Sequence, residues 1–170
     1  QLKDKLQILG NCRSDLLGHL GRSFYKQESD ALRTVFGSYI LCSDNFAVEV
    51  RPDVAIENLG DKYQVNAKAK REYDLEREAA NKEKHRRRIL FSNFLEKAII
   101  EFPEKSFIVR PHPTSDPRWW LNRFWTYRNA HIISHKNIEA WIHGADALIS
   151  MGCTTALQSI LAQVPTIEIK

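Results

Sequence analysis

Short apolar runs recur along this chain, each cut off by polar or turn-forming residues and separated from the next by a helix-forming stretch. Residues 38–43 (Ser-Tyr-Ile-Leu-Cys-Ser), 107–109 (Phe-Ile-Val) and 147–149 (Ala-Leu-Ile) are the clearest. They lack the strict alternation of a half-solvated strand and match strands buried on both faces. Buried strands separated by helices need crossover connections, so the pattern predicts an α/β fold, a Rossmann-like parallel sheet with helices on both faces. In such sheets ligands bind beyond the carboxyl ends of the strands, where the strand order reverses.

Residues 1–21 read as an opening strand and interdomain segment, with a turn-forming cluster from Gly10 to Asp15. Residues 22–170 read as the Rossmann-like domain. Its first helix is expected over 22–36, with Leu32, Val35 and Phe36 on one face and Gly37 ending it. Residues 47–67 hold turn signals without periodicity and predict an irregular excursion. The stretch 67–102 has neither Gly nor Pro and predicts a long helix, charged in its first half and striped with Phe91, Phe94, Leu95, Ala98, Ile99 and Phe102 in its second. Asp116 and Pro117 mark a helix start, and the helical spacing of Trp119, Trp120 and Trp125 reads as packing. Residues 131–134 predict a strand and 138–145 a short helix. A strand, loop, helix, strand unit closes the chain, its helix striped with Leu157, Ile160, Leu161 and Val164.

Charge and cysteine content narrow the function classes. The net charge of +4 is matched by the segment 68–88 alone, where nine Lys/Arg face five Asp/Glu. The rest is neutral, so a nucleic-acid surface is not indicated. The run at 82–88 reads as a solvated helix face, with contact to an anionic membrane surface as the alternative. Cys12, Cys42 and Cys153 are widely spaced and odd in number, which disfavours a disulfide framework or zinc site and suits a reducing, cytoplasmic compartment. Nothing approaches the roughly 20 apolar residues of a membrane span. The chain begins at Gln1 and stops at Lys170 directly after an expected core strand, and a larger two-domain parent is expected.

Three strand ends carry polar chemistry: Ser43, Asp44 and Asn45; Arg110 and His112; and Ser150, Gly152, Thr154 and Thr155. A parallel sheet places all three on one edge. Together they offer a guanidinium, an imidazole, hydroxyls and helix-start N–H groups, a set suited to a diphosphate. The bland readings are Thr154 or Thr155 as an ordinary N-cap and His112 as a rigid residue between two prolines. No dinucleotide fingerprint, Walker loop or nucleophile elbow is present, and His131, His135 and His143 lack metal-ligand spacing. Cys153 reads as a nucleophile only if a base is supplied from elsewhere.

These residues carry a resemblance. Gly10-Asn11-Cys12-Arg13-Ser14-Asp15, the strand into Ser43-Asp44-Asn45-Phe46, Arg110-Pro111-His112-Pro113, Trp141-Ile142 before Ala145-Asp146, and Gly152-Cys153-Thr154-Thr155 with Pro165 resemble the bacterial surface-carbohydrate biosynthesis proteins. More remotely the chain is similar to CDP-glycerol glycerophosphotransferases and capsule polysialyltransferases, which share a His-Pro motif and a later pair of hydroxyl residues. Those are GT-B glycosyltransferases, with two Rossmann-like domains facing a cleft. The resemblance implies the C-terminal, donor-binding domain, with His112 as the His-Pro histidine at the donor phosphate, Arg110 assisting, and Thr154 and Thr155 as the hydroxyl pair. Gly152, Ser150, Ser43 and Asn45 complete the expected donor site.

The ligand so implied is a CMP-, CDP- or UDP-linked sugar or a polyol phosphate, with no metal and no cofactor. The partner so implied is a missing N-terminal domain that binds the acceptor and carries the acidic base. The cysteine usage sets the expected place as the cytoplasm, with a peripheral contact of 68–88 at the inner face of the cell membrane as the alternative to a solvated helix face. Two departures stand out: Cys12 replaces the usual proline, and threonines replace paired serines. Two other readings stay open at this point, a non-catalytic module docking through its basic helix and a sugar-nucleotide epimerase of GT-B-like fold.

Overall fold

The computed structural model of the protein describes residues 12–46, 67–113, 115–135 and 137–169. Cys12–Asp15 (α1), His19–Phe24 (α2) and Lys26–Phe36 (α3) lead into Tyr39–Ser43 (β1). Ala67–Glu101 (α4), Ser106–Arg110 (β2), Arg118–Phe124 (α5), Ala130–Ile132 (β3) and Ile138–Gly144 (α6) follow, then Ala147–Ser150 (β4), Thr154–Leu161 (α7) and Thr166–Glu168 (β5). The five strands form one parallel sheet in the order β3-β2-β1-β4-β5. The protein is thus an α/β, Rossmann-like domain, as the strand pattern predicts. The order reverses at β1: the chain builds outward through β2 and β3, then returns to place β4 on the other side of β1.

Two apolar cores flank the sheet, and strand parity assigns residues to them. Tyr39, Leu41, Ile108 and Leu148 pack with α3, α6 and α7, through Leu32, Trp141 and Ala156 among others. Their neighbours Cys42, Phe107, Val109 and Ile149 pack on α4 and α5, where Phe91, Leu95, Ile99, Trp120 and Phe124 are buried. Successive strand residues point to opposite faces, so each strand feeds both layers. Phe91, Leu95 and Ile99 lie four apart on α4, which gives its second half a single buried face. In its charged half Lys82 pairs with Glu78 and Arg86 with Glu83 along the helix.

The amino ends of the strands are clasped by a polar cluster. Asp146, just before β4, accepts from Arg33 at 2.6 Å, from Lys105 at 3.1 Å, and from the Ser38 hydroxyl. One carboxylate thus joins the segments that precede β1, β2 and β4.

Several sequence expectations need correction. The helix expected over 22–36 is two helices that meet at Tyr25, and the first begins at His19. Leu17 is buried in the core, so the packed domain extends upstream of the expected start at residue 22. Gly21 belongs there because a Cβ would lie 1.5 Å from the Leu16 carbonyl oxygen. Within the turn cluster expected at 10–15, Cys12–Asp15 is a helical turn. The strand expected in residues 1–11 and the excursion expected at 47–66 lie outside the described residues.

Of the stripe expected to bury α7, Val164, just past the helix, is in the core, but the members within the helix face the other way. Leu157 and Ile160 are 61% and 60% exposed, whereas Ala156, Ser159 and Ala162 face the sheet. Small residues let this helix lie close to the strands. Val35 is likewise exposed, and Trp125, at the end of α5, is 80% exposed while Trp120 is fully packed.

Candidate functional site

Register brings three of the expected site residues into one row. Ser43 is the lateral partner of Arg110 on β2 and of Ser150 on β4. Their strand mates two residues back, Leu41, Ile108 and Leu148, all face the α6–α7 layer, so the three polar side chains leave the sheet on that same face. Above them, at the point where the strand order reverses, is a cavity of about 550 Å³. Ser43, Asn45, Arg110 and His112 form one part of its wall, and Gly152, Thr154 and Thr155 form another. Cys153, Gln158, Ser134 and Ile138 complete the principal lining.

The loop after β4 owes its shape to Gly152, whose φ of +70° is unfavourable for a side chain. Asn45 Nδ2 donates to the Gly152 carbonyl at 2.7 Å and ties the end of β1 to this loop. Cys153 then takes the extended N-cap position of α7, with no side-chain cap hydrogen bond. The N–H groups of Thr154 and Thr155 fall in the first helical turn, where no intrahelical acceptor exists. Together with the hydroxyls of these threonines they make this wall suited to an anion.

Arg110 is held by its surroundings. Its Nη1 donates to the His135 carbonyl at 2.7 Å, and its guanidinium lies 5.5 Å from the centre of the Trp141 ring. Burial pulls its pKa below the ordinary arginine value, with the Glu139 carboxylate and Tyr39 opposing. It remains a cation at neutral pH. Trp141 Nε1 donates to the same His135 carbonyl at 3.2 Å, so α6 helps fix the loop after β3.

Asp44 lines the cavity, but its carboxylate works inside the fold. Oδ1 accepts the backbone N–H of His112 at 2.8 Å and of Phe46 at 3.3 Å, and Oδ2 accepts the Trp120 indole N–H at 2.7 Å. The residue is only 3% exposed. Burial raises its pKa, partly offset by these three donors. Its effect is to place His112, whose turn is closed further by Ser115 N–H on the His112 carbonyl at 2.8 Å.

Ser150 is a partial correction to the expected set. It is fully buried beneath the cavity, and its Oγ lies 3.0 Å from Cys153 Sγ. The Cys153 thiol also reaches Ser43 Oγ at 3.5 Å. Burial pushes this thiol up, but hydrogen bonds with the Ser150, Ser43 and Thr155 hydroxyls and the Ala156 N–H outweigh it, and the net shift is below the ordinary cysteine value. The serines therefore address the anion wall through the cysteine between them. Spacing marked Cys153 only as a lone thiol, because its partners come from two strands and a helix. No described His, Cys, Asp or Glu group is arranged to hold a metal ion. No described helix is long and apolar enough to cross a membrane.

The fold and cavity define an α/β domain with a basic, hydroxyl-rich crevice at the carboxyl edge of a doubly wound sheet. No family model matches the chain, and no curated protein matches it.

Proposed function

We propose that this chain is the donor-binding domain of a GT-B-type glycosyltransferase, or of a related polyol-phosphate transferase, in bacterial surface polysaccharide synthesis. The observation that carries the reading is the meeting of Arg110, His112, Thr154 and Thr155 on one cavity at the strand-order reversal. The donor is a CMP-, CDP- or UDP-linked sugar or polyol. Its phosphates rest on the first turn of α7, where N–H groups and threonine hydroxyls converge. Arg110 and His112 stand on the facing wall and balance the negative charge that grows on the departing nucleotide. A second, N-terminal domain supplies the acceptor and its base, and the reaction takes place at the cytoplasmic face of the membrane.

Calorimetric titration of the protein with CMP, CDP and UDP tests the reading. At least one nucleotide is expected to bind, and His112→Ala is expected to weaken it by about tenfold or more. Failure of all three to bind, or affinity indifferent to His112→Ala, overturns the assignment.

A further inference from the structure

The basic run on α4 sends one side chain to the loop on which the site depends. Arg87 Nη2 donates to the Met151 carbonyl over a long 3.4 Å, and the same nitrogen lies 3.5 Å from where a Cβ on Gly152 would stand. Its neighbours do other work. Arg86 pairs with Glu83 at 2.8 Å on the same helix, and Arg88 covers the Trp119 ring at 4.6 Å. The next carbonyl, that of Gly152, is held by Asn45 from the end of β1.

Two successive carbonyls are therefore gripped by side chains from two different elements. In a trans peptide the N–H points opposite to the C=O, and the described residues contain no cis peptide bond. Holding the Met151 and Gly152 carbonyls thus sets the directions of the Gly152 and Cys153 N–H groups at the head of α7. We infer that Arg87 is a positioning residue of the donor site: it orients the loop that leads into the first turn of α7, where the Thr154 and Thr155 N–H groups form the anion-binding wall, without lining the cavity itself. The inference rests on the donor reading for its ligand, while the hold on the loop is measurable without one. It also gives part of the basic run a use within the domain rather than at an outside surface.

The Cys153 thiol reports the loop directly, because Ser43, Ser150 and Thr155 hydroxyls and the Ala156 N–H surround it, with Arg110 and His112 the basic groups on the same cavity. Cys42 is fully buried and silent, and Cys12→Ser removes the third thiol. In that background the rate of reaction with an aromatic disulfide reagent is followed against pH, and CDP and UDP binding by calorimetry. Arg87→Met is expected to raise the thiol midpoint by roughly 0.5 in pH and to weaken nucleotide binding about tenfold. Arg87→Lys, which keeps a donor, is expected to restore both, and Arg86→Met, which removes the same charge one residue away, to change neither. If Arg87→Met does not fold, Arg87→Leu, which likewise removes the donor, takes its place.

A thiol midpoint in Arg87→Met equal to that of Arg86→Met overturns the inference, and nucleotide binding by the unaltered protein would then leave the donor reading in place. A shifted midpoint in a protein that binds no nucleotide upholds the loop-holding role and removes the donor reading instead.

Discussion

Trp120 on α5 donates its indole N–H to the buried Asp44 carboxylate at 2.7 Å, and the other oxygen of that carboxylate receives the backbone N–H of His112. The first residue after β1 thereby sets the turn after β2. A helix on one face of the sheet is thus linked to a cavity that opens on the other.

Asp44→Ala removes the acceptor from three donors in a dry environment and is expected to cost about 2–4 kcal/mol in urea unfolding at neutral pH. Asp44→Asn keeps one acceptor oxygen and avoids burying a charge, so it is expected to cost less. Burial raises the native pKa of Asp44 above its unfolded value. The contribution of this carboxyl to stability is therefore greatest below the unfolded pKa and declines as pH rises through the native one. The gap between wild type and Asp44→Asn should accordingly narrow from acid to neutral pH. Equal losses for the Ala and Asn variants would contradict the role given to the carboxylate.

Asp146 has the opposite sign. Burial alone would raise its pKa, but Ser38, Lys105 and Arg33 hold it below the usual carboxylate range. Its stabilisation is present above the unfolded pKa and is lost as pH falls through the native value. Asp146→Asn is expected to be less stable than wild type by about 1 kcal/mol at pH 7, since Arg33 and Asp146 are partly solvated. The two proteins should converge in acid. A difference that stays constant from pH 7 to pH 2, followed by circular dichroism in urea, would exclude this ionic clasp.

Cys153 should react with thiol reagents at a pH below that of an ordinary cysteine, because the hydroxyls and N–H around it favour the thiolate. Cys42, with burial pushing its thiol up, should react only on unfolding. Mass spectrometry of partly labelled protein distinguishes the two. A nucleotide seated on the first turn of α7 should slow labelling of Cys153 by about tenfold or more at saturation. Labelling at the same rate with and without a bound nucleotide would place the ligand elsewhere.

Much of this architecture is written locally. Runs such as Phe107-Ile108-Val109 are strands because they are short, apolar and bounded, and Ala67–Glu101 is a helix because nothing in it breaks one. The alternation of the two dictates a parallel sheet, and a parallel sheet puts Ser43, Arg110 and Ser150 on one edge. That much follows from backbone hydrogen bonding and apolar periodicity, which depend on neighbours in the chain. Which face of a helix is buried depends on what lies across from it. Hence α7 turns Ala156 and Ser159 inward and leaves Leu157 and Ile160 outside, against the hydrophobic stripe.

The same holds at the loop from Ser150 to Thr155. The sequence marks it as an anion site at a helix start, since Gly152 and Cys153 run directly into two threonines. Tertiary structure alone decided that Asn45 and Arg87 hold its carbonyls, that two serines surround Cys153, and that Asp44 serves His112 rather than a ligand. These contacts join residues up to 110 positions apart in the chain, and no local pattern encodes which distant side chains meet when the strand order reverses.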